Sequence, residues 1–310
     1  MEILAATDFD FLGPKRTGKV RDMYEQDGKL VLITTDRHSS FDRIIAHIPW
    51  KGQVLNQVSA WWFERTKDIV PNAVLAIPDP NVTIARKFST VAVEAVVRGY
   101  LTGVTDTAAW TRYAAGLRDF SGTVLPDGMR KNQKLPQPIF DPTTKEAAHD
   151  RTLSPEQMIA EGFVTRDLLD RIRKTALSLF ARGQEVAAKN GLILVDTKYE
   201  FGTDESGALV LIDEIHTPDS SRYWQSDSYE ARFAAGEEPE YFDKEFLRLW
   251  FRDHCDPYRD ATLPPAPVEL VDEMSRRYIA MYEQITGSKF QHGETPVLRR
   301  IEKNLRSFAF

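Results

Sequence analysis

Five charged residues stand in two apolar segments, at positions where a purely structural strand would carry valine or isoleucine. The first segment contains Asp196, Lys198 and Glu200, and the second contains Asp213 and Glu214. Side chains alternate between the faces of a strand, so Asp196, Lys198 and Glu200 share one face. Carboxylates and a lysine among apolar neighbours are costly unless they bind a partner. Carboxylate oxygens beside a cation suit Mg²⁺ shared with phosphate groups, which takes one or two protein carboxylates.

The two segments, residues 191 to 201 and 208 to 215, flank a short turn that contains Asp204 and Gly207. This pattern predicts a β-hairpin. Pairing with an odd index sum would put Asp213 on the face of Glu200, and the sequence does not fix that register. The alternative is an exposed antiparallel face whose charges form ordinary surface ion pairs.

A glycine-bearing segment near the start of the chain is a second candidate site. Residues 13 to 19 match the beginning of a phosphate-binding Walker A loop, but Val20 stands where that loop needs Ser or Thr. The following residues also favour strands rather than a helix. What remains is a glycine-bearing hairpin in which Lys19 and Arg21 point to the same face, at the edge of a flexible turn. Such a turn can lie over nucleotide phosphates, although a solvated edge hairpin has the same pattern.

The predicted strand over residues 91 to 103 places Glu94 and Arg98 on one face of an otherwise apolar run. An arginine there can hold a phosphate or carboxylate through two parallel hydrogen bonds. The alternative is a buried Glu94–Arg98 pair.

Three polar segments, residues 34 to 43, 141 to 150 and 217 to 224, have the composition of ligand-binding or turn segments. The polar residues that carry this composition are Asp36, Arg37, Ser39, Ser40 and Asp42 in the first segment, Thr143, Thr144, Lys145, His149 and Asp150 in the second, and Asp219, Ser220, Ser221 and Arg222 in the third.

Helical periodicity and turn residues indicate the elements around these candidates. A capping box with proline at the first helical position begins at Ser154, and Asp27-Gly28 predicts a hairpin turn. Residues 116 to 150 are rich in Gly and Pro and predict a long functional loop. The predicted helices cover residues 53 to 67, 166 to 189, 243 to 253 and 268 to 286.

Composition limits the classes of function. The 310 residues are 42% hydrophobic with 17 Phe, enough for a sizeable core, and a net charge of −6 argues against nucleic acid as a partner. A single cysteine, Cys255, suits a reducing compartment. The acidic N-terminus and the lack of an apolar run of about 18 residues argue against a signal peptide and a membrane span. We therefore expect a cytoplasmic protein that binds small molecules, without a nucleic-acid or membrane partner.

Seven motifs follow one another along most of the chain: GKVRDMY (18–24), TDRHSSFD (35–42), VVRGYLTG (96–103), KLPQPIFDPTTK (134–145), HD (149–150), DTKYEFG (196–202) and DEIHTPDSSRYW (213–224). Together they resemble those of the SAICAR synthetase family, which joins L-aspartate to carboxyaminoimidazole ribotide (CAIR). They occur in the family's order, and the sixth and seventh are the most specific.

The resemblance implies an α+β fold with two lobes, related in architecture to ATP-grasp and kinase folds. Residues 1–93 would form an antiparallel β-rich nucleotide-binding lobe, and residues 94–310 a larger α/β lobe with the substrate and metal site. The spacing after VRGYLTG resembles the long plant and bacterial form of the family. A monomer or a homodimer is expected.

The resemblance further implies an ATP-dependent carboxylate–amine ligase of purine biosynthesis. Mg-ATP would phosphorylate the CAIR carboxylate, and the aspartate amine would attack the acyl phosphate to give SAICAR, ADP and phosphate. Carried over by motif, the cofactor-binding residues are Gly18, Lys19 and Arg21 at the ATP phosphates, with Glu200 and Asp213 at Mg²⁺.

The same motifs suggest the substrate-binding residues and the residue nearest the chemistry. Lys198 would lie near the reacting carboxylate, so that Lys198, Glu200 and Asp213 form the catalytic set. The substrate-binding set would be Arg98 and Arg222 at the CAIR phosphate, Asp36 and Ser39 near its base and ribose, Lys145 and His149 at aspartate, and Ser221.

Two residues depart from the family pattern. Val104 follows VRGYLTG where the family usually has Ser, and Asp141 stands where it more often has Thr. A valine cannot donate the hydrogen bond that the serine gives to the phosphate. These departures keep open a sister ligase that acts on a different acid or amine. A nucleotide-binding module without catalysis is a separate alternative, and the intact Lys198, Glu200 and Asp213 argue against it.

Overall fold

The computed structural model describes residues 2–41, 43–145, 151–241 and 245–310 and shows an α+β fold, as predicted. It divides into two compact units. The first unit takes in the described parts of residues 1–64, 73–87 and 242–310, and the second those of residues 65–72 and 88–241.

These units differ from the predicted lobes, which divided the chain at residues 93 and 94. The C-terminal helix is part of the first unit because Val297, Ile301 and Leu305 are buried in the same core as Val31 and Ile33 of the N-terminal sheet. The chain therefore leaves the first unit and returns to it.

The bounds of the elements are as follows. The strands are β1 Arg16–Thr17, β2 Arg21–Gln26, β3 Lys29–Thr34, β4 Arg37–Ser40, β5 Arg43–His47, β6 Val74–Asp79, β7 Val82–Arg86, β8 Ser89–Leu101, β9 Asp119–Phe120, β10 Thr123–Val124, β11 Gln133–Phe140, β12 Thr143–Thr144, β13 Leu192–Thr203, β14 Leu209–Leu211 and β15 Ser221–Gln225. The helices are α1 Lys51–Thr66, α2 Ala109–Ala114, α3 Pro155–Ala160, α4 Arg166–Lys189, α5 Ser226–Ala235, α6 Glu245–His254, α7 Val268–Thr286 and α8 Val297–Arg306.

The first unit is built on an antiparallel sheet with the strand order β1-β2-β3-β7-β6. The predicted turn between β2 and β3 is confirmed: Asp27 and Gly28 have φ values of 49° and 74°. Two positive φ angles in a two-residue loop match the right-handed twist of the flanking strands, and glycine tolerates them without a steric penalty.

The second unit is built on a sheet with the strand order β11-β8-β13-β14, and β12 and β15 pair with β8 and β13. Every pairing in it is antiparallel. Strand β13 contains one residue more than β15 between Leu194 and Asp196, because Leu194 pairs with Tyr223 while Asp196 pairs with Arg222. Such a bulge changes which residues face each side of the sheet.

The predicted loop over residues 116 to 150 contains more strand than its composition indicated. Strand β11 includes Pro136 and Pro138 and lies at the edge of the sheet, where a residue without a backbone N–H is tolerated. Its pairing with β8 shifts register between Lys134 and Ile139, the stretch that holds both prolines. A strand at an edge can therefore carry the signals of a loop.

Helix α4 agrees with its predicted bounds. The Thr165 hydroxyl accepts a hydrogen bond from the backbone N–H of Leu168, and the helix ends before Asn190 and Gly191. The predicted capping box at Ser154 is also present. The other predicted helices correspond to α1, α6 and α7. Among the residues described, every helix is too short or too polar to cross a bilayer.

Candidate functional site

Strands β8 and β13 present one charged face, whose members are fixed by the antiparallel register. Asp196 pairs with Arg98, Lys198 with Val96, and Glu200 with Glu94. Directly opposite residues of an antiparallel pair project to the same side. The predicted shared face of Asp196, Lys198 and Glu200 therefore also includes Glu94 and Arg98.

Lys198 lies between two carboxylates at one end of this face. Its Nζ donates to Glu94 Oε1 at 2.6 Å and to Glu200 Oε1 at 2.7 Å. Lys145 contacts the other oxygen of Glu200. Two carboxylates opposite each other would repel, and the ammonium groups offset that repulsion.

Glu94 is thus a member of this cluster rather than the partner of Arg98. The possible Glu94–Arg98 pair does not form, because Arg98 donates through Nε to Asp141 Oδ2 at 2.7 Å. Thr143, opposite Glu94 on β12, donates its hydroxyl to the second Glu94 oxygen at 3.4 Å.

Three arginines and two aspartates form a second cluster at the other end of the charged face, which we call the arginine row. Asp196 pairs across the sheet with Arg98 on one side and Arg222 on the other. Arg222 Nη2 lies 2.7 Å from Asp196 Oδ2, and Arg112 of α2 contacts the Asp141 oxygen that Arg98 also uses. The row consists of Arg98, Arg112, Arg222, Asp141 and Asp196.

Gly103, in the loop that follows β8, lies against Arg222 of the arginine row. It has a φ of 100°, and a Cβ built there would lie 2.9 Å from Arg222 Nη1. The missing side chain lets the backbone approach the guanidinium closely. Val104, the next residue, is 57% exposed.

The β13–β14 register decides the position of Asp213. Phe201 pairs with Leu211 and Gly202 with Val210, so the index sum is even rather than odd. Continued pairing would put Asp213 opposite Tyr199, on the side away from Glu200. The ladder ends at Leu211, however, and Asp213 lies half-buried in a bend after it. The chain stays close to β13 there, since the Ile212 N–H donates to the Glu200 carbonyl at 3.1 Å.

Ser221 lies on the other face of the sheet from Arg222. It is buried opposite Thr197, and its hydroxyl donates to Thr197 Oγ1 at 2.7 Å. Neighbouring residues on a strand project to opposite sides, so Ser221 does not share the face of Arg222, and its predicted contact with substrate stays a prediction.

A buried histidine anchors the loop between β14 and β15 on that opposite side. The Tyr199 hydroxyl and His216 Nε2 share a hydrogen bond of 2.5 Å, and the Tyr223 hydroxyl donates to the His216 carbonyl at 2.8 Å. Burial lowers the pKa of His216 to about 3, so the imidazole is neutral. The loop that carries Asp213 is therefore attached to two strands of the sheet.

The glycine-bearing turn of the first unit is formed as predicted. The Gly18 N–H donates to the Arg21 carbonyl at 2.8 Å, and Lys19 is exposed at the tip between β1 and β2. Buried Arg37 holds this turn, because its guanidinium donates to the carbonyls of Gly18 and Lys19 and to Asp22. The sequence analysis did not identify this role of Arg37.

Asp36 is buried, and both of its oxygens are used by the backbone. They accept the N–H groups of Leu4 at 2.8 Å and of Gly52, in the first turn of α1, at 2.9 Å. Burial raises the pKa of Asp36 to about 6, with these N–H groups acting in the opposite direction. Its predicted contact with substrate stays a prediction. Ser39 is half-buried on β4.

The other predicted residue, His149, lies outside the described residues. The first unit contains Gly18, Lys19, Arg21, Asp36 and Ser39, and the second contains the other predicted residues that the structure describes. Within the second unit the structure brings together Lys145, Lys198 and Glu200, and separately Arg98 and Arg222. The sequence analysis had not assigned Glu94 or Arg112 to the site, and strand register is the signal that would have found Glu94.

The carboxylates fit Mg²⁺ that is shared with phosphates better than a metal held by protein alone. In the described parts of the chain, no group of three or more His, Cys, Asp or Glu side chains forms a metal cage. The charged face does supply hard oxygens from Glu94 and Glu200, already facing the cationic Lys198. Mg²⁺ commonly takes one or two carboxylates and completes its shell with phosphates and water.

Comparison with known proteins identifies the family. The family model described as SAICAR synthetase matches residues 15–265. The chain belongs to the SAICAR synthetase family. The chain is 56% identical over 293 residues to phosphoribosylaminoimidazole-succinocarboxamide synthase of Legionella pneumophila (strain Lens), covering 94% of each chain.

Plant and fungal SAICAR synthetases are also similar to this chain. The chloroplastic phosphoribosylaminoimidazole-succinocarboxamide synthase of Arabidopsis thaliana is 57% identical over 289 residues, 93% of this chain and 70% of the plant protein. The solved structure of the SAICAR synthase of Saccharomyces cerevisiae, complexed with SAICAR, has a TM-score of 0.81 and 33% identity. It covers 93% of this chain, and all of the yeast chain is covered. The predicted family and its plant and bacterial form are confirmed.

Proposed function

We propose that this protein is an ATP-dependent ligase that joins L-aspartate to the carboxylate of CAIR and releases SAICAR, ADP and phosphate. Its membership of the SAICAR synthetase family, with 56% identity to a named synthase over 94% of the chain, supports this activity. Small molecules are then its only partners, the cytoplasm its compartment, and a monomer or homodimer its state.

The observation that carries this proposal is the placement of two clusters on one face of the second unit. Lys198, Glu94 and Glu200 lie at one end, and the arginine row at the other. Residues 196 and 200 of an extended strand are separated by about 13 Å. A ribotide acid carries a phosphate at one end and a carboxylate at the other, so this spacing suits both of its anionic ends.

The cluster around Lys198 would bring together anions that otherwise repel each other. Lys198 would hold the ribotide carboxylate, with its Nζ already directed by Glu94 and Glu200. Glu200 and Asp213 would hold Mg²⁺, which neutralises phosphate charge when it is bound. Lys19 and Arg21 would approach the phosphates of ATP. Arg37 holds the turn that carries Lys19, because it donates to the carbonyls of Gly18 and Lys19.

Two displacement steps then complete the reaction. A carboxylate oxygen of CAIR attacks the γ-phosphorus of ATP, the bond to ADP breaks, and an acyl phosphate forms. The aspartate amine attacks the acyl carbon, inorganic phosphate leaves with the bonding electrons, and the nitrogen loses a proton. Positioning and electrostatic stabilisation are sufficient for this chemistry, which needs no side-chain nucleophile.

The test is an ADP-release assay with CAIR, aspartate and Mg-ATP, together with three reactions that each omit one substrate. We expect ADP release to need all three, and mass spectrometry to show SAICAR in equal amount. ADP release without CAIR, or with aspartate replaced equally well by another amine, would contradict the proposal.

Replacing Glu200 tests the assignment of the site. We expect Glu200→Gln to lower kcat by about 100-fold or more. The substitution removes the charge of a carboxylate that contacts Lys198 and that, with Asp213, would hold Mg²⁺. Glu205→Gln, in the exposed turn of the same hairpin, is the matched control and keeps wild-type turnover. Unchanged turnover in Glu200→Gln, with both variants folded by circular dichroism, would remove Glu200 from the site.

A sister ligase is the second candidate, and the arginine row is the reason. Asp141 forms ion pairs with Arg98 and Arg112, so the row differs from a purely cationic phosphate site. Val104, exposed beside Gly103, has no hydroxyl to donate to a phosphate. Turnover of a different ribotide or acid in place of CAIR, in the same assay, would favour this reading.

A further inference from the structure

We propose that Asp141 is an internal counter-ion that limits how tightly the arginine row binds a phosphate, and that Arg112 acts in the opposite direction. The proposal rests on the proposed function only in taking the natural anion to be the phosphate of the ribotide. It assigns a specificity-determining role to two residues that the family comparison leaves without one.

The contacts of Asp141 place it inside the row. It follows β11 and is 1% exposed, and its Oδ2 accepts from Arg98 Nε at 2.7 Å and from Arg112 Nη2. Its backbone N–H donates to the Val96 carbonyl at 2.9 Å, which fixes the carboxylate beside β8. Among the described residues, Asp141 Oδ1 and Arg112 Nε are buried without a hydrogen-bond partner. The bonding capacity of the row is therefore incompletely used.

The charges of the row do not cancel. Three guanidinium groups and two carboxylates give 3 − 2 = +1, with each aspartate already paired with an arginine. Arg98 is 6% exposed, so its charge is only weakly screened by water. A dianionic phosphate at this row is attracted by the arginines and repelled by Asp141.

Arg98 can bind an anion without releasing Asp141. Its Nε bonds the carboxylate and its Nη2 donates to the Thr107 carbonyl at 3.2 Å. A guanidinium has five N–H donors, so donors remain for a phosphate. Asp141 therefore stays paired with Arg98 when the phosphate binds. Its negative charge then repels the bound phosphate and lowers the affinity of the row for it.

Two substitutions change the charge of the row in opposite directions. Asp141→Asn keeps the size of the side chain and raises the charge to +2, whereas Arg112→Met removes one cation and leaves Asp141 to neutralise Arg98. If Asp141 only shaped the site, both substitutions would disturb it and weaken binding. Opposite changes in affinity are the signature of the charge role.

The experiment is a titration of each full-length variant with inorganic phosphate at constant ionic strength, followed by calorimetry and by the rise in Tm. We expect the Kd for phosphate to fall about tenfold in Asp141→Asn and to rise about tenfold in Arg112→Met. Asp127→Asn, which removes the exposed partner of Arg118 in the same unit, is the matched control and keeps the wild-type Kd. Adding Arg98→Met to Asp141→Asn should abolish the gain, which assigns the anion to this row.

Weaker or unchanged phosphate binding in Asp141→Asn overturns the proposal. Should that variant fail to fold, unchanged or tighter binding in Arg112→Met overturns it instead. CAIR-dependent ADP release is measured in parallel on the wild-type protein. Its absence, with the opposite shifts present, would refute the proposed function alone, and its presence without those shifts would refute the role of Asp141 alone.

Discussion

Gly103 is the residue at which a missing side chain matters most for the arginine row. A Cβ there would lie 2.6 Å from the Ala108 Cβ and 2.9 Å from Arg222 Nη1, and φ is 100°. Gly116 has nearly the same φ, 104°, with no atom within 4 Å of the position of its Cβ. The two glycines therefore separate backbone strain from close packing.

We expect Gly103→Ala to lower the free energy of unfolding by about 2–4 kcal/mol and to weaken phosphate binding, because the new methyl group displaces Arg222. Gly116→Ala should cost about 1–2 kcal/mol from the positive φ alone and leave phosphate binding unchanged. Urea unfolding and phosphate titration measure both effects. Equal losses in the two variants would show that contact with Arg222 is unimportant.

Asp36 gives a second prediction for a single residue, through its raised pKa. Its folded pKa of about 6 exceeds the ordinary value of 3.8, so the folded state binds the proton more tightly than the unfolded state. The resulting stability is fully present below pH 3.8 and is lost as pH rises through about 6. It amounts to about 3 kcal/mol at most.

We expect the Tm difference between wild type and Asp36→Asn to be largest near pH 4 and to shrink towards pH 7. The asparagine does not titrate, and its single carbonyl oxygen accepts only one of the two N–H groups that Asp36 accepts. Thermal unfolding across this pH range is the measurement. Parallel pH profiles for the two proteins would contradict the raised pKa.

At the scale of elements, the loop between β14 and β15 depends on His216. This residue has a φ of 51° and contacts Tyr199 through its ring and Tyr223 through its carbonyl. Gly183 of α4 provides the space, since a Cβ there would lie 2.5 Å from the imidazole. Helix, strands and loop thus meet at one neutral histidine behind the charged face.

We expect Tyr199→Phe to lower the free energy of unfolding by about 1–3 kcal/mol, because His216 Nε2 is left buried without its partner. The lowered pKa of His216 also makes the free energy of unfolding depend on pH. The contribution of the neutral imidazole to that free energy is fully present above pH 6.5 and declines as pH falls towards 3. Chemical denaturation at neutral pH tests the first effect, with Tyr258→Phe, 71% exposed, as the neutral control. Equal stability of the two variants would show that the hydrogen bond between Tyr199 and His216 does not stabilise the loop.

At the scale of the whole molecule, the C-terminal segment is part of the fold of the first unit. Buried Arg300 of α8 donates to Asp79 at 2.9 Å and to Asn81 at 2.6 Å, at the turn between β6 and β7. Arg300, one of the basic residues of α8, therefore forms an internal ion pair with Asp79.

We expect Arg300→Met to lower the free energy of unfolding by about 3–5 kcal/mol, because buried Asp79 loses its charged partner. The neighbouring Arg299 is exposed, so Arg299→Met should change stability by less than about 0.5 kcal/mol. Urea unfolding of the pair makes the comparison, and similar losses in both would mean that the ion pair is not what anchors α8.

The elements that could be predicted are those whose signals are local. Helical periodicity and caps gave α1, α4, α6 and α7, and Asp27-Gly28 gave its hairpin turn. Strand β11 was hidden by its prolines, since edge position is a property of the sheet and not of the segment. The return of α8 to the first unit was equally hidden, because core contacts between distant segments leave no local pattern.

The sequence by itself determined which chemical groups the site contains and that Asp196, Lys198 and Glu200 share a face, since strand alternation follows from covalent geometry. Only the tertiary structure decided what those groups contact. Strand register placed Glu94 against Lys198 and Arg222 against Asp196, and moved Ser221 to the other face. Register depends on pairing between residues far apart in the chain, so a shift of one residue changes every partner without altering any local signal.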